Sequence, residues 1–290
     1  MHPAETALGF DIGGTWVRAG LVSADGTIRA RVESPLPPDG DPALLSQLLA
    51  EQAARVLAGA DSAPSAIGIA LPGIWDRQTG VMRRALNLPR LEGTDVVRLF
   101  ERALGRPVLV ESDVNAAGWA QWRASQPRPQ RFVYLSIGTG VGGSVILDGQ
   151  LLRHTRGGAG HFGHLIVNTA SDAPLCHCGA RGCLEAMVSG PALRSAPHHG
   201  PVACAPGSDR ALAVGLCQLA VLYAPDVIAL GGGVIDAQPE LADLAGAAFR
   251  QLGGTLAPSA LRIVRAPLST HEAGVLGAAL LALDSGSRGA

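Results

Sequence analysis

The stretch ALGFDIGGTWVRAGLVSADGTIRARV, residues 7–32, decides the fold because the chain repeats its plan later. It predicts a buried strand over 7–11, a glycine turn at Ile12–Thr15, a strand over 16–23, an Asp25-Gly26 hairpin and a strand over 27–32. Residues 131–153 have the same order, with strands over 132–137, 144–147 and 150–153 around a glycine turn at 138–143 and Asp148-Gly149. An internal repeat of this kind predicts two related lobes.

The rest of the chain predicts strands that alternate with helices. The predicted helices cover residues 43–57, 95–104, 113–124, 208–223, 239–252 and 272–283, and the predicted strands cover 66–71, 107–111, 226–230 and 261–264. Asp41 is the predicted cap of the first helix and Thr94 of the second. The predicted apolar face of the first helix comprises Leu44, Leu45, Leu48 and Leu49. Residues 74–93 predict mainly loop. Strands alternating with helices predict an α/β fold.

Composition excludes several classes of protein. The chain has 290 residues, of which 47% are hydrophobic and 16% charged, and its net charge is −1. We therefore expect a globular protein without the basic surface that nucleic-acid binding requires. We expect no signal peptide and no membrane-spanning segment. All 23 basic residues are arginine, so the sequence excludes a Walker A loop, a protein-kinase site and Schiff-base chemistry, which all need lysine.

A cluster of cysteines and histidines comes after the second copy of the repeat. Cys176, Cys178 and Cys183 have spacings typical of thiolate ligands, and His164 completes a Cys₃His set of the kind that binds structural zinc. His177 is the competing fourth ligand, and ordinary thiols are the alternative to a metal site. Because metal-binding cysteines fit a reducing compartment better than a disulfide framework does, we expect the protein in the cytoplasm.

Each glycine turn of the repeat predicts a phosphate contact. Gly138-x-Gly140-x-x-Gly143 matches the dinucleotide fingerprint, but a strand comes after it instead of the helix that a Rossmann site needs. The favoured interpretation is an anion nest of backbone N–H groups, with Gly13-Gly14-Thr15 as its twin. Two ordinary β-turns are the alternative.

Polar and glycine residues stand directly after several predicted strands. Asp113 begins a helix directly after a strand, either as a helix cap or at a ligand site, since α/β sheets bind ligands at the carboxyl ends of their strands. Asp11 ends a strand and could orient Mg²⁺ next to phosphates. Gly231–Gly233 would admit a flat adenine or form a plain turn. Glu185 is either a substrate ligand or a first-turn helix acid.

These motifs together resemble the ROK family of repressors, open reading frames and sugar kinases, within the actin-like ATPase superfamily. The resemblance covers nearly the whole chain. It rests on six segments: Asp11–Thr15, Gly138–Gly143, Asp113-x-Asn115-Ala116-Ala117, Gly160–Glu185 with its cysteines, Leu230–Gly233, and Ala273-Gly274-x-x-Gly277-Ala278-Ala279. It implies a two-lobed, ribonuclease H-like α/β fold with a small zinc-binding subsite at 160–185. The implied lobes are 1–114 and 115–271, with a C-terminal helix, 272–290, that returns to the first lobe.

The resemblance also implies an ATP-dependent 6-kinase of a hexose, of the glucose or N-acetylmannosamine class, that uses Mg²⁺ and structural Zn²⁺. Asp113 is the implied catalytic base. The implied sugar-binding residues are Gly73, Asn87, Ser112, His161, His164 and Glu185. The implied nucleotide site comprises Asp11, Gly13, Gly14, Thr15, Gly138, Thr139, Gly140, Gly231, Gly232 and Gly233. The implied zinc ligands are His164, Cys176, Cys178 and Cys183. The family also implies a homodimer.

Three residues depart from the family pattern. Ser112 stands where asparagine is usual, His161 where glutamate is usual, and Trp16 where lysine is usual. With histidine at position 161, the chain resembles bacterial N-acetylmannosamine kinases. The alternative function is therefore a catalytically impaired sugar-binding or regulatory member of the family. A repressor is disfavoured because the first strand starts near Ala7, which leaves no room for a helix-turn-helix domain.

Overall fold

The structure is a computed structural model that describes residues 5–154, 159–195, 207–252 and 260–286. The chain divides into two compact units. The first unit consists of Met1–Ala120, Arg153–Ala159 and His271–Ala290, and the second of Gln121–Leu152 and Gly160–Thr270. Each unit contains one five-stranded sheet and its own hydrophobic core.

Strands and helices alternate along the described residues, which confirms the α/β prediction. The strands are β1 (Thr6–Ile12), β2 (Trp16–Ser23), β3 (Ile28–Pro35), β4 (Ala66–Leu71), β5 (Ile74–Trp75), β6 (Met82–Arg84), β7 (Leu109–Ser112), β8 (Arg131–Ile137), β9 (Val141–Leu147), β10 (Gln150–Leu151), β11 (Val227–Gly231) and β12 (Arg262–Arg265). The helices are α1 (Pro42–Leu57), α2 (Val96–Leu104), α3 (Asp113–Ala124), α4 (Leu184–Val188), α5 (Gly190–Ser195), α6 (Ser208–Tyr223), α7 (Gly233–Ala237), α8 (Glu240–Leu252) and α9 (Thr270–Gly286). Residues 287–290 of the predicted C-terminal segment lie outside the described part.

The two sheets share one topology. In the first unit the strand order is β3-β2-β1-β4-β7, with β1 antiparallel to β2 and parallel to β4. In the second unit the order is β10-β9-β8-β11-β12, with β8 antiparallel to β9 and parallel to β11. The internal repeat predicted from residues 7–32 and 131–153 is therefore a repeat of whole sheets. It brings the two glycine turns to equivalent positions, each after the central strand of its sheet.

Helices cover the sheets, and glycines allow one of them to approach closely. α9 packs on the first unit's sheet, where a Cβ at Gly68 would lie 1.9 Å from the carbonyl oxygen of Ala278. A Cβ at Gly277 would lie 1.7 Å from the carbonyl oxygen of Ala116 in α3. α9 thus contacts both the sheet and the helix that starts at Asp113. Among the described residues, no helix is long and apolar enough to cross a bilayer.

Several predicted details were wrong at element ends. The second glycine turn covers only Gly138–Gly140, because Val141–Gly143 already pair with β8. Asp95, not Thr94, caps α2, and its carboxylate accepts a hydrogen bond from the Arg98 N–H. Leu44 is 50% exposed and so does not belong to the buried face of α1. Residues 74–93 are mainly loop, as predicted, and also contain the short hairpin of β5 and β6.

Candidate functional site

Two carboxylates lie at one edge of the first unit's sheet. β1, β4 and β7 are neighbouring parallel strands, so their carboxyl ends share an edge. Asp11 stands near the end of β1, and Asp113 begins α3 directly after β7. This edge is where α/β sheets bind their ligands. The two carboxylates are close enough for the charge of Asp113 to raise the pKa of Asp11.

Asp11 is held in a confined position. Burial is the main cause that raises its pKa to about 6, and Asp113 adds to the rise. Arg18 opposes the shift, with its Nη1 3.5 Å from Asp11 Oδ2. A Cβ at Gly274 in α9 would lie 2.4 Å from the Asp11 carboxyl carbon, so glycine there leaves room for the carboxylate. A divalent cation would favour the ionised form and fits this acidic edge.

Asp113 and Ser112 each accept a hydrogen bond from a backbone N–H at the start of α3. Ser112 Oγ accepts a hydrogen bond of 3.3 Å from the Asn115 N–H, as an N-cap side chain does. Asp113 Oδ1 accepts a hydrogen bond of 2.8 Å from the Val114 N–H. Because Ser112 supplies the capping contact to a later turn residue, capping alone does not account for Asp113. Ser112 therefore has a structural contact of its own.

Glu111 is a site residue that the sequence reasoning missed. Its side chain is 2% exposed, and its two oxygens pair with Arg77 Nη1 at 2.9 Å and Arg153 Nε at 2.6 Å. It also accepts hydrogen bonds from the Ser112 N–H and the Asn115 side chain. Burial alone would raise the pKa of Glu111, but the two arginines hold it below its usual range. The Glu111–Arg77–Arg153 cluster thus holds Ser112, directly before Asp113, and Asn115, two residues after it. Its only sequence signal was a charged residue in a predicted buried strand.

Asn87, one of the predicted sugar-binding residues, lies beside the first glycine turn. The Gly13 N–H bonds the carbonyl of Trp16 at 2.9 Å, which closes the turn. A Cβ at Gly14 would lie 2.9 Å from the side-chain nitrogen of Asn87. Gly73 has a φ of 124° and lies against the Arg84 carbonyl, so a side chain there would be strained and would clash. Thr15 and Trp16 are exposed. The turn is therefore open to a ligand.

Two predicted nucleotide motifs lie together in the second unit. A Cβ at Gly232, whose φ is 93°, would lie 2.4 Å from the carbonyl oxygen of Ile137 at the end of β8. Gly138, the next residue, lies beside Gly233. Thr139 and Gly140 are exposed, and Gly231 packs against Tyr134. The turn leads directly into β9, so no helix begins there to bind a pyrophosphate in the Rossmann manner.

Three thiols and one imidazole converge in the second unit. The ligand atoms of His164, Cys176, Cys178 and Cys183 all lie within 4.8 Å of one another. Cys178 Sγ and Cys183 Sγ are 3.6 Å apart, and Cys176 Sγ is 3.7 Å from His164 Nδ1. Ligand atoms around a tetrahedral zinc are about 3.8 Å apart, given bonds of about 2.3 Å to sulfur. The four residues therefore fit a zinc ion.

His177 has a different partner. Its Nδ1 lies 2.8 Å from Glu185 Oε1, although it is also 4.0 Å from Cys176 Sγ. The other oxygen of Glu185 accepts a hydrogen bond of 2.7 Å from the Val141 N–H. The geometry therefore favours His164 over His177 as the fourth zinc ligand. Glu185 lies in the first turn of the short helix α4 and joins the cysteine cluster to the start of β9.

His161 lies next to the cysteine cluster. Its ring stacks on that of His164, with 6.2 Å between centroids and 22° between planes. His161 is exposed, whereas His164 is partly buried. Burial is the main cause that lowers the pKa of His164. The lower pKa favours the neutral ring that a metal ligand needs. His161, His164 and Glu185 thus lie around the cysteine cluster.

Comparisons with known proteins agree with this arrangement. The model of the ROK family matches residues 7–285. The chain is 36% identical over 191 residues to an N-acetylmannosamine kinase from Shigella boydii, and this match covers 66% of the chain and 64% of that protein. A ROK hexokinase from Thermus thermophilus has a TM-score of 0.83 and 34% identity, with 98% and 99% of the chains covered. A ROK family glucokinase from Streptomyces griseus, in complex with glucose and AMPPNP, has a TM-score of 0.76 and 29% identity, with 96% and 99% covered.

Proposed function

The chain belongs to the ROK family, and on that premise we propose that it is an ATP-dependent sugar kinase. It transfers the γ-phosphate of ATP to the 6-hydroxyl of a hexose of the glucose or N-acetylmannosamine class. The aligned part spans about 64% of the length of the curated N-acetylmannosamine kinase. The observation that supports the proposal most is the pair Asp11 and Asp113 at one carboxyl edge of the sheet.

Asp113 is the general base in this proposal. Its carboxylate accepts the proton of the sugar 6-hydroxyl as that oxygen attacks the γ-phosphorus, and ADP leaves with the electrons of the broken P–O bond. Ser112 and Glu111 keep Asp113 at the start of α3 through the bonds already described. Mg²⁺ held near Asp11 offsets the charge of the phosphates.

Backbone groups bind the nucleotide in this proposal. Phosphoryl transfer needs mainly positioning and charge stabilisation, which N–H groups of glycine turns supply. The turn at Gly13, Gly14 and Thr15 and the turn at Gly138, Thr139 and Gly140 contact phosphates. Gly231, Gly232 and Gly233 accept the adenine in this proposal. A Cβ at Gly233 would meet nothing within 4 Å, so this end of the motif leaves room for a flat ring.

The sugar is bound by residues around the cysteine cluster. Glu185 accepts hydrogen bonds from hydroxyls near C1 and C2, and His161 contacts those near C2 and C3. His164 would hold zinc through Nδ1, which faces Cys176 Sγ, and would leave Nε2 for the sugar. Gly73, Asn87 and Ser112 contribute to sugar binding by family resemblance. Structural zinc bound by His164, Cys176, Cys178 and Cys183 orients this segment, and we further propose a cytoplasmic homodimer.

A coupled assay tests the proposal. Purified protein is incubated with MgATP and glucose, mannose, fructose, allose, N-acetylglucosamine or N-acetylmannosamine, and ADP release is followed. The expected result is turnover with glucose or N-acetylmannosamine and a sugar 6-phosphate identified by NMR. Calorimetric binding of a sugar without any turnover would favour the alternative, an impaired sugar-binding protein, which the departures at Ser112 and His161 support. The absence of both binding and turnover would overturn the proposal.

A further inference from the structure

We propose that Gly140 and His177 are positioning residues for the Glu185 carboxylate, so that the Gly138–Gly140 turn contributes to sugar binding as well as to nucleotide binding. The inference rests on the proposed function, in which Glu185 binds sugar hydroxyls. It explains why glycine stands at position 140, because phosphate contact alone does not require glycine there. All the residues concerned lie in the second unit.

The Glu185 carboxylate occupies the space where a side chain at position 140 would lie. A Cβ added at Gly140 would lie 2.8 Å from Glu185 Oε2 and 3.7 Å from its carboxyl carbon. Gly140 does not have the positive φ that Gly160, Gly179 and Gly182 have, so its backbone conformation is open to other residues. The clash is with the far end of a flexible side chain. Alanine at position 140 would therefore leave the turn folded and push the carboxylate away.

One hydrogen bond and one ion-pair contact hold the carboxylate in that space. The Val141 N–H, directly after Gly140, donates to Oε2 over 2.7 Å. His177 Nδ1 lies 2.8 Å from Oε1. Glu185 is thus held by the first residue of β9 on one side and by the cysteine segment on the other. A displaced carboxylate would lose the first bond, because the added methyl group would stand between it and the strand.

Gly138 offers a matched control in the same turn. A Cβ there would meet nothing nearer than the Gly233 nitrogen, at 3.9 Å. Gly138→Ala therefore disturbs the turn without touching Glu185. If the turn serves the nucleotide alone, Gly138→Ala and Gly140→Ala should affect the same binding constant. If Gly140 makes room for Glu185, only Gly140→Ala should weaken sugar binding.

His177 offers a second, independent test. Asparagine presents a side-chain N–H close to where Nδ1 lies, whereas alanine presents none. His177→Ala should weaken sugar binding, His177→Asn should restore most of it, and both should retain the full zinc content. Loss of zinc in His177→Ala would instead make His177 a metal ligand and overturn its assignment as a positioning residue.

The deciding experiment is a double-mutant cycle of Gly140→Ala and Glu185→Ala. Isothermal calorimetry measures glucose and N-acetylmannosamine binding without nucleotide, and AMPPNP binding without sugar. A hydrogen bond to a charged group that is lost or misplaced corresponds to roughly a 10-fold weaker sugar affinity, which we expect for Gly140→Ala. In the Glu185→Ala background the same change should alter sugar affinity by less than about twofold, because coupled sites are not additive. Equal losses in both backgrounds would overturn the inference.

Thermal unfolding separates failure of this inference from failure of the proposed function. If the wild-type protein binds no sugar in the calorimeter and phosphorylates none, the proposed function fails, and the contact is still tested by the same cycle. Gly140→Ala should then lower the Tm when Glu185 is present and not when position 185 is alanine. Additive Tm changes would show that Gly140 and Glu185 do not share this space.

Discussion

Asp11 and Asp113 have different surroundings although they share one sheet edge. Both are partly exposed, but burial raises the pKa of Asp11 to about 6, whereas Asp113 begins α3 and accepts a hydrogen bond from the Val114 N–H. An acid with a raised pKa suits a group that works beside a cation, since the cation restores its charge. An acid at a helix start suits a base that must reach a substrate hydroxyl. The sequence showed both residues but not this difference.

We expect Asp113→Asn to retain the fold and sugar binding while turnover falls by about 10²–10⁴-fold. Asparagine is nearly the same shape as aspartate, and Ser112 still caps α3 through the Asn115 N–H. Steady-state kinetics with calorimetric sugar binding as the control measure both effects. A kcat within about twofold of wild type would remove Asp113 from the role of base.

We expect Asp11→Asn to stabilise the ligand-free protein above neutral pH. Because the folded-state pKa of Asp11 is raised from 3.8 to about 6, its contribution to stability is complete below about pH 3.8 and is lost as the pH rises through 6. The full loss is about 3 kcal/mol, of which about 1 kcal/mol falls between pH 5 and pH 8. Asparagine does not titrate, so it avoids that loss.

Denaturant unfolding of wild type and Asp11→Asn at pH 5 and pH 8, without Mg²⁺ or nucleotide, measures the change. The difference in unfolding free energy, mutant minus wild type, should be larger at pH 8. A difference that is the same at both pH values would mean that Asp11 does not titrate in this window. The mutant should also need more Mg²⁺ for turnover, because its cation partner is neutral.

His161→Glu should shift sugar preference. A carboxylate accepts hydrogen bonds from hydroxyls, whereas a neutral imidazole offers one donor that an N-acetyl carbonyl can use. The ratio of kcat/KM for glucose to that for N-acetylmannosamine should rise by roughly 10- to 100-fold, since a polar group that the bound sugar covers without a matching partner costs about 1–3 kcal/mol. The comparison needs equal zinc content, because His161 stacks on His164. An unchanged ratio would leave His161 a packing residue only.

At the scale of single elements, local patterns predicted several helices and strands to the residue, and the errors lie at a turn and a helix cap. α3 and α6 begin and end where the sequence placed them, and β4 covers the predicted residues 66–71. The second glycine turn was predicted too long, because Gly142 and Gly143 weaken a strand signal although they pair in the ladder. Thr94 and Asp95 are both good caps, and only the backbone decided between them.

Contacts between residues that are far apart in the chain could not be predicted from the sequence. Nothing near Glu111 in the chain shows that Arg77 and Arg153 meet its carboxylate from 34 and 42 residues away. The hydrogen bond from the Val141 N–H to Glu185 and the contact of His177 with Glu185 could not be predicted either, since they depend on how the cysteine segment and α4 pack beside β9. The cysteine cluster was easier, because its ligands are near in sequence and few chemistries use that spacing.

Cys178→Ser should remove zinc and weaken sugar binding while AMPPNP still binds. Cys178 is exposed, so the substitution leaves no cavity in the core, but a serine hydroxyl is a poor zinc ligand. The nucleotide glycines lie on other segments. Metal content by emission spectroscopy and calorimetry with each ligand measure the outcome, with Cys217→Ser as the control outside the cluster. Equal zinc in mutant and wild type would contradict the metal site.

At the scale of the whole molecule, the repeat explains why the nucleotide motifs occur twice. Each sheet has the same strand order and directions, so the turn after its central strand falls at an equivalent place. The family predicted from these motifs is confirmed by the match over residues 7–285. The two units differ in the segment that comes after the repeat, because only the second copy leads into the cysteine cluster.

Zinc removal should therefore destabilise one unit more than the other. The first unit's core contains Leu8, Phe10 and Ile69, and the second unit's contains Val133, Leu184 and Leu230. Leu184 stands directly after Cys183 and belongs to the second core, so the metal ligands are tied to that core. After chelation, amide hydrogen exchange should accelerate in peptides covering residues 160–188, and more weakly in 131–147.

Peptides covering β1 and β4 are the internal control, because their protection depends on the first core. They should exchange at the same rate with and without zinc, while Cys178→Ser should reproduce the chelator's effect without chelator. Exchange that accelerates equally in both units would show that the two cores open as one cooperative unit. In that case the zinc site would stabilise the whole chain rather than the segment that positions His161, His164 and Glu185.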